Sequence, residues 1–249
     1  MIGRCVDVCE RIFEEINKKD MRDLSSVIGM GASRSETRAI DKMAEDMIIE
    51  SFPEFSILSE EAGFIDRHSD EILVVDPIDG TKNAVRGLPF YTVSIAVGKK
   101  TLSDISFGFV ENPVTREIFH AERGKGSYVG KDKLRPLDSK EELAMLSMDP
   151  ESYKHAGKLR ALGYDIRSIG CSSLEMCYVA TGAANAYLHA KKSLRVIDIA
   201  ASLLFLREAG GECYAFGTSE KLDKPLTLEE RFGLLALKGG ESVEDLYRL

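Results

Sequence analysis

The chain has 249 residues, of which 44% are apolar and 30% are charged, the balance of an ordinary soluble globular protein. This length suffices for one large domain or for two closely packed lobes with a substantial core. The net charge of -8 argues against general binding of nucleic acid. No apolar run approaches the ~20 residues that a membrane-spanning helix needs.

The cysteines and the first residues bear on the cellular compartment. Five cysteines, an odd number, are scattered without C-x-x-C spacing, and residues 1–15 mix charges throughout without the apolar core of a signal peptide. We therefore expect reduced thiols in a cytoplasmic protein.

The first third of the chain predicts two helices and a polar segment between them. Apolar residues recur over residues 6–16, whereas residues 23–35 indicate a loop or a short hairpin. Ser33 and Glu36 have the spacing of a capping box, and the helical apolar pattern that follows ends at Pro53. On that helix, Asp41 lies at the border of the apolar stripe, where its carboxylate can face a cleft.

Two predicted strands end in carboxylates. Residues 55–59 precede Glu60 and Glu61, and the apolar, mostly β-branched residues 72–75 precede Asp76.

The second strand runs into Asp-Pro-Ile-Asp-Gly-Thr, which places Asp76 and Asp79 three residues apart. Pro77 fixes φ and Gly80 permits a tight backbone, so both carboxylates can point to one place. Thr81 is expected near the start of a helix, whose free N–H groups suit a phosphate. Carboxylates for hard cations beside an anion site favour metal-assisted phosphoryl chemistry. The same residues are also common in simple turns, an alternative that this motif alone leaves open.

Residues 131–142 are charged and contain a proline, and we place a lobe boundary there. An N-terminal α+β lobe (residues 1–133) would carry most metal ligands, and a C-terminal α/β lobe (134–249) the substrate loop, the two forming one domain. Strands are predicted in the first lobe at 91–97, 105–110 and 117–121, with a hairpin from 124. In the second lobe, strands are predicted at 144–148, 166–169, 184–189 and 232–237, helices at 153–162, 173–180, 199–209 and 243–249, and a basic loop at 191–195. This alternation suggests an α/β layer with ligands at strand ends.

Asp198 is predicted to open the helix at 199–209. By itself it is explained as an N-cap, whose charge favours a helix start. Considered together, five acids lie at the ends or borders of elements, and such a set of oxygen ligands suits Mg²⁺. They are Asp41, Glu60, Asp76, Asp79 and Asp198.

In these motifs the chain resembles the inositol monophosphatase family of metal-dependent, lithium-sensitive phosphatases, in its branch of archaeal-type inositol monophosphatase/fructose-1,6-bisphosphatase enzymes. The resemblance covers nearly the whole chain in order. It rests on Asp41 and Glu45, Ser59-Glu60-Glu61, residues 76–83, residues 167–170, and Asp198 with residues 208–211.

The resemblance implies a fold, a metal set and an activity. The fold is a layered α/β/α/β/α sandwich of the sugar-phosphatase type, with two lobes and the metals at their junction. Glu60, Asp76 and the Ile78 carbonyl would bind one Mg²⁺, and Asp76, Asp79 and Asp198 a second. A third, weaker ion would lie near Glu60 and Asp76, and Mn²⁺ is expected to substitute.

The resemblance also implies roles in catalysis and substrate binding. Asp41 and Thr81, with Glu60 nearby, would orient a metal-bound water for attack on phosphorus. Gly80 and Thr81 would contact the phosphate, and Gly170 and Ser172 would line the sugar or inositol ring.

One departure from the family bears on the substrate. Many inositol phosphatases carry an acid shortly before the last metal aspartate, where this chain has His189 followed by Lys191, Lys192 and Arg195. These cations form either a solvated loop or, with Arg167, a site for a second phosphate, which would favour a sugar bisphosphate.

We therefore expect a Mg²⁺-dependent phosphomonoesterase that acts on inositol 1-phosphate and fructose 1,6-bisphosphate. Its partner would be a small phosphate ester rather than nucleic acid or a membrane, and a homodimer is expected. Two alternatives stay open, a phosphatase for nucleotide 3′-phosphates such as adenosine 3′,5′-bisphosphate, and a non-enzymatic regulatory protein of the same fold.

Overall fold

The computed structural model describes residues 1–241 and Leu246. The helices are α1 (Ile2–Lys18), α2 (Met21–Leu24), α3 (Ala39–Ser51), α4 (Thr81–Ala84), α5 (Pro150–Tyr153), α6 (Ala156–Ala161), α7 (Ser172–Thr181) and α8 (Ala200–Glu208). The strands of the first half are β1 (Val27–Met30), β2 (Glu36–Arg38), β3 (Ser56–Ser59), β4 (Gly63–Ile65), β5 (Ile72–Asp79), β6 (Thr92–Gly98), β7 (Phe107–Asn112), β8 (Glu117–Glu122), β9 (Gly126–Val129) and β10 (Asp132–Lys133). Those of the second half are β11 (Leu143–Leu146), β12 (Asp165–Arg167), β13 (Ala186–Leu194), β14 (Glu212–Ala215) and β15 (Phe232–Leu237).

Two large sheets organise these elements. The first has eight strands in the order β10-β9-β8-β7-β6-β5-β3-β4, and the second has five in the order β12-β11-β13-β15-β14. In the first sheet only β3 and β5 run parallel, and in the second β11 runs parallel to both of its neighbours. The hairpin of β1 and β2 stands apart.

Helices cover both sheets and fill the space between them. The helices α1 and α3 pack on one face of the first sheet, α7 and α8 lie between the two sheets, and α5 and α6 cover the second sheet. Side chains alternate accordingly in β11, where Met145 faces the central layer while Ala144 and Leu146 face the outer one, as the period of two in a strand requires. The predicted α/β/α/β/α sandwich is therefore confirmed.

Most predicted elements exist, with shifted ends. The strand predicted over 72–75 continues to Asp79, so both motif acids lie on the strand rather than after it. The helix predicted over 153–162 is divided into α5 and α6. The basic segment 191–195 is not a loop, because β13 continues through it to Leu194. The helix predicted over 243–249 falls, except for Leu246, outside the described residues.

Two predicted helix caps are wrong. The α3 helix begins after Arg38, and the carboxylate of Asp41 accepts the Arg38 N–H in place of the predicted Ser33 and Glu36 box. The α7 helix begins at Ser172, one residue before the predicted start at residue 173. The α8 helix begins after Ile199, which leaves Asp198 one residue too early to cap it.

Within the described ranges, no helix combines the length and the apolar character that crossing a bilayer requires.

Candidate active site

The carboxyl end of β5 forms the centre of the site. Its pairing with β6 is irregular between Asp76 and Asp79, as at a β-bulge, and the two carboxylates lie close enough for the charge of Asp79 to act on Asp76. Gly80 follows with φ 84°, and a Cβ atom there would lie 2.8 Å from the Phe90 carbonyl oxygen. Only glycine fits both restrictions. The helix after it, α4, has four residues, so the dipole expected to attract phosphate is small.

Asp41 and Thr81 are joined by a hydrogen bond. The Thr81 hydroxyl lies 3.0 Å from Asp41 Oδ1 and 2.9 Å from the Ile78 carbonyl oxygen. Burial raises the pKa of Asp41 to about 7, and the hydrogen bond from Thr81 opposes that rise. The helix α3 thus places one acid of the predicted set against the threonine of the central motif.

Glu60 lies in the turn that follows β3, and hydrogen bonds fix both its side chain and the turn. Its Oε1 accepts the Ser35 hydroxyl at 2.9 Å and the guanidinium of Arg195 at 2.5 Å. The turn itself is tied by Glu45 of α3, whose Oε1 accepts the Ser59 hydroxyl at 2.5 Å and the Ala62 N–H at 2.9 Å. Glu61 points the other way and bonds to the hydroxyl of Thr37.

Asp79 is held by the start of helix α7. Its Oδ2 accepts the N–H of Ser173 at 2.7 Å and the hydroxyl of Ser173 at 2.6 Å. The thiol of Cys171 lies 3.3 Å away. Burial raises the pKa of Asp79 to about 6, while the bonds from Ser173 oppose the rise.

Asp198 lies in the turn before α8 and is paired with Arg195. Its Oδ2 accepts the Arg195 N–H at 2.7 Å, and its Oδ1 accepts the guanidinium at 3.0 Å. Burial raises the pKa of Asp198, and Arg195 opposes that rise. Because Arg195 contacts acids that precede different elements, it joins the turn after β3 to the turn before α8.

Asp76 lies among these acids with an unsatisfied oxygen. The residue is 2% exposed, and Oδ1 is buried with no hydrogen-bond partner. Burial, together with the nearby charges of Glu60, Asp79 and Asp198, raises its pKa well above the ordinary value. A buried carboxylate of this kind requires a compensating cation or a proton. The donor set therefore has the chemistry that a hard divalent cation needs.

The acidic side chains of the site do not converge on a single point. Among the described residues, no three His, Cys, Asp or Glu side chains are placed to hold one metal ion. The reason lies in their present partners, since Ser173 holds Asp79 while Arg195 lies between Glu60 and Asp198.

The predicted substrate residues occupy different surroundings. Gly170 has φ 71° and its carbonyl lies near the Asn83 side chain, while the Ser172 hydroxyl lies 3.0 Å from the phenol oxygen of Tyr187. Lys191 is exposed on β13. Arg167 is also exposed, and its guanidinium donates to the Ile166 carbonyl. The structure thus places Gly170 beside the central motif, while Ser172 stands between Cys171 and Ser173, which both contact Asp79.

Two residues that hold the acids of the site in place were not predicted from the sequence. Ser173 fixes Asp79 across 94 positions of the chain, and Ser35 fixes Glu60 across 25. Neither serine stands in a motif, and spacing along the chain carries no signal for contacts of this kind.

A family model for the inositol monophosphatase family matches residues 5–244 of the chain. The chain belongs to this family. It is 32% identical over 211 residues to a fructose-1,6-bisphosphatase/inositol-1-monophosphatase of Methanocaldococcus jannaschii, covering 82% of this chain and 83% of that protein. It is 34% identical over 237 residues to the protein so named of Methanothermobacter thermautotrophicus, covering 86% and 83%.

A solved structure agrees with this assignment. A Pyrococcus horikoshii protein, described by its similarities to inositol-1 monophosphatase, superposes with a TM-score of 0.84 at 27% identity, covering 100% of this chain and 97% of that one. The inositol monophosphatase family comprises metal-dependent phosphatases, and this chain is accordingly a phosphoric monoester hydrolase.

Proposed function

We propose that this phosphatase is Mg²⁺-dependent and hydrolyses inositol 1-phosphate and fructose 1,6-bisphosphate. The observation that carries the proposal is the meeting of Asp41 and Thr81 with Asp76 and Asp79 at the end of β5. The substrates are those named for the two archaeal relatives that cover more than four fifths of the chain.

The metal set follows from the acids. Glu60, Asp76 and the Ile78 carbonyl would hold one ion, Asp76, Asp79 and Asp198 a second, and a third would bind weakly beside Glu60, with Mn²⁺ able to replace Mg²⁺. Bound divalent cations lower the pKa of water, screen the charge of the phosphate and stabilise the leaving alkoxide. The buried, unsatisfied Oδ1 of Asp76 is the feature of this chain that supports such a centre.

The protein groups position the nucleophile and the phosphate. A threonine hydroxyl that donates to Asp41 has lone pairs left to accept from a water molecule, so Asp41 and Thr81 together orient that water toward phosphorus. The N–H groups of Gly80 and Thr81 are proposed to bind phosphate oxygens. Gly170 and Ser172 are proposed to contact the ring.

The second phosphate of a sugar bisphosphate needs cations further out. Lys191 and Arg167 are exposed and free of buried ion pairs among the described residues, so either could move to meet a phosphate. Arg195 reaches a phosphate only if it leaves Glu60 and Asp198. We propose all three as the residues that favour fructose 1,6-bisphosphate.

A pair of aspartate variants tests the function. Asp79→Asn removes a charge that a metal ion needs, and should lower turnover by about a hundredfold or more and weaken Mg²⁺ binding. Asp41→Asn should lower kcat strongly while Mg²⁺ binding, measured by calorimetry, changes less. Turnover is measured on inositol 1-phosphate, fructose 1,6-bisphosphate and adenosine 3′,5′-bisphosphate.

Three outcomes would contradict the proposal in distinct ways. Near wild-type turnover by Asp79→Asn removes the metal assignment. Loss of all metal binding in Asp41→Asn makes that residue a metal ligand instead. Preference for adenosine 3′,5′-bisphosphate by the wild-type protein replaces the substrate class and leaves the metal centre standing.

A further inference from the structure

Arg195 places a positive charge among the acids proposed to bind metal. One guanidinium nitrogen, Nη1, lies 2.5 Å from Glu60 Oε1, and another, Nη2, lies 3.0 Å from Asp198 Oδ1. The three side chains are 15%, 15% and 10% exposed. This is a nearly buried triad of two acids and one cation, at the junction where the turn after β3 meets the turn before α8.

The charge balance at this point is tight. Burial works against a charged guanidinium, and the ion pairs with Glu60 and Asp198 offset that cost. Removing one member of such a buried group leaves the others uncompensated. Arg195 is therefore the counter-ion that Glu60 and Asp198 share.

The guanidinium also leaves the set of acids incomplete. Arg195 contacts Glu60 and Asp198, while the buried Oδ1 of Asp76 has no hydrogen-bond partner. The planar guanidinium of Arg195 contacts two carboxylates, whereas a divalent ion accepts ligands from several directions. A divalent ion bound to Glu60 and Asp198 needs the carboxylate oxygens that the guanidinium contacts, and the guanidinium and the metal ion repel each other at such short range.

We propose that Arg195 is a built-in competitor of the divalent cation, which occupies the metal carboxylates in the metal-free protein and is displaced when the metal binds. This inference rests on the proposed function in that it takes Glu60 and Asp198 to be metal ligands. Displacement would free the guanidinium at the edge of the site, where it could meet an anionic group of the substrate.

The proposal separates Arg195 from a purely structural ion pair through the sign of its effect. If Arg195 only holds the acids in position, its removal weakens metal binding. If Arg195 competes with the metal, its removal strengthens metal binding while destabilising the metal-free protein.

The test uses Arg195→Gln, with Arg231→Gln as the matched control. The Arg231 guanidinium feels the charges of Glu60 and Asp198 but donates to backbone carbonyls, including that of Ser33 at 3.0 Å. The two variants therefore remove the same charge near the same acids, and only one of them vacates the carboxylates. Mn²⁺ affinity is measured by electron paramagnetic resonance of the free ion, with no substrate present.

We expect Arg195→Gln to bind Mn²⁺ about tenfold more tightly than the wild type, which corresponds to ~1.4 kcal/mol. Arg231→Gln should change the affinity much less. In a chelator, Arg195→Gln should melt at a lower temperature than the wild type, and saturating Mn²⁺ should abolish that difference. Equal or weaker Mn²⁺ binding by folded Arg195→Gln would overturn the proposal, as would an equal gain in Arg231→Gln.

Two further measurements keep the test decisive if Arg195→Gln does not fold without metal. Arg195→Lys keeps the positive charge but loses the planar guanidinium that contacts both acids, and it should therefore bind Mn²⁺ more tightly than the wild type. A crystal structure of the wild-type protein with Mn²⁺ should show the guanidinium more than 4 Å, roughly a salt-bridge limit, from Glu60 or Asp198. A guanidinium still bonded to both acids beside the bound metal would overturn the proposal. The Mn²⁺ binding test does not measure turnover, so it is independent of the proposed function. If the protein binds Mn²⁺ as expected but hydrolyses no phosphate ester, the proposed function is refuted and the inference about Arg195 stands.

Discussion

At the scale of single residues, Glu111 on β7 shows what a buried carboxylate does outside the site. It is fully buried, neither of its carboxylate oxygens has a hydrogen-bond partner, and Arg116 Nε lies 3.9 Å from Oε1. Burial raises the pKa of Glu111 from 4.5 to about 7, while Arg116 opposes that rise. The folded protein therefore holds a proton on Glu111 that the unfolded chain releases at lower pH.

This difference gives a pH-dependent prediction. The unfolded chain loses the proton near pH 4.5 and the folded protein near pH 7, so the free energy of unfolding falls as pH rises through that window. Glu111→Gln removes the titration and should stabilise the protein by about 3 kcal/mol well above pH 7, with little effect below pH 4.5. Urea unfolding at a series of pH values measures this.

Glu10→Gln is the control, because Glu10 is an exposed partner of the same arginine, at 2.7 Å from Arg116. Its effect should be small and nearly independent of pH. A gain in Glu111→Gln that is the same at pH 4 and pH 8 would rule out the protonation argument.

At the scale of elements, the turn between β3 and β4 depends on helix α3. Glu45 is fully buried, and its Oε1 accepts bonds from the Ser59 hydroxyl and from the backbone N–H groups of Glu61 and Ala62. These bonds flank Glu60 on both sides. The helix that carries Asp41 therefore also fixes the position of the neighbouring acid.

We predict that Glu45→Ala weakens metal binding even though Glu45 contacts no substrate. Loss of the acceptor leaves the buried Ser59 hydroxyl and the N–H groups of Glu61 and Ala62 without this partner, so the turn should relax and Glu60 should move. Glu45→Gln keeps an oxygen acceptor and should restore most of the Mg²⁺ affinity. Calorimetric titration with Mg²⁺ measures the difference in affinity between the two variants. Equal affinity in Glu45→Ala and the wild type would show that the turn keeps its conformation without Glu45.

At the scale of the whole molecule, one core joins the two predicted lobes. Helix α8 of the second lobe packs against strands of the first, where the Phe205 ring meets the Phe119 ring edge-on at 5.6 Å. At Gly108 a Cβ atom would lie 2.6 Å from the Ala201 carbonyl oxygen, so helix and sheet approach closely. The boundary near residues 131–142 stays a prediction, but the packing across it argues for a single folding unit.

Phe205→Ala tests this unity. A large-to-small change in a core costs about 3–5 kcal/mol, and calorimetry should show one transition at a lower temperature, with α and β structure lost together by circular dichroism. Phe64→Ala, at a ring that is 55% exposed, should leave the melting temperature nearly unchanged. Two separate transitions in Phe205→Ala would show instead that the lobes unfold independently.

The sequence by itself determined the elements and the candidate acids, because both are encoded locally. Apolar periodicity predicts strands such as β15, whose bounds match the prediction, and the motif around Asp76 and Asp79 marks the carboxyl end of β5. The family resemblance, confirmed by the family model, supplied the layered fold and the order of the acids along the chain.

Only the tertiary structure decided what those acids contact. The sequence allowed Asp198 to be a helix cap or a metal ligand, and Arg195 to be part of a solvated loop or of a phosphate site. In the structure the two residues are paired with each other, and Arg195 also pairs with Glu60 across 135 positions. The local pattern of apolar and polar residues predicts which residues share a helix or strand. The partner of a charged side chain depends instead on which helices and strands pack against each other. Long-range contacts of this kind hold the acids in place, and no spacing along the chain encodes them.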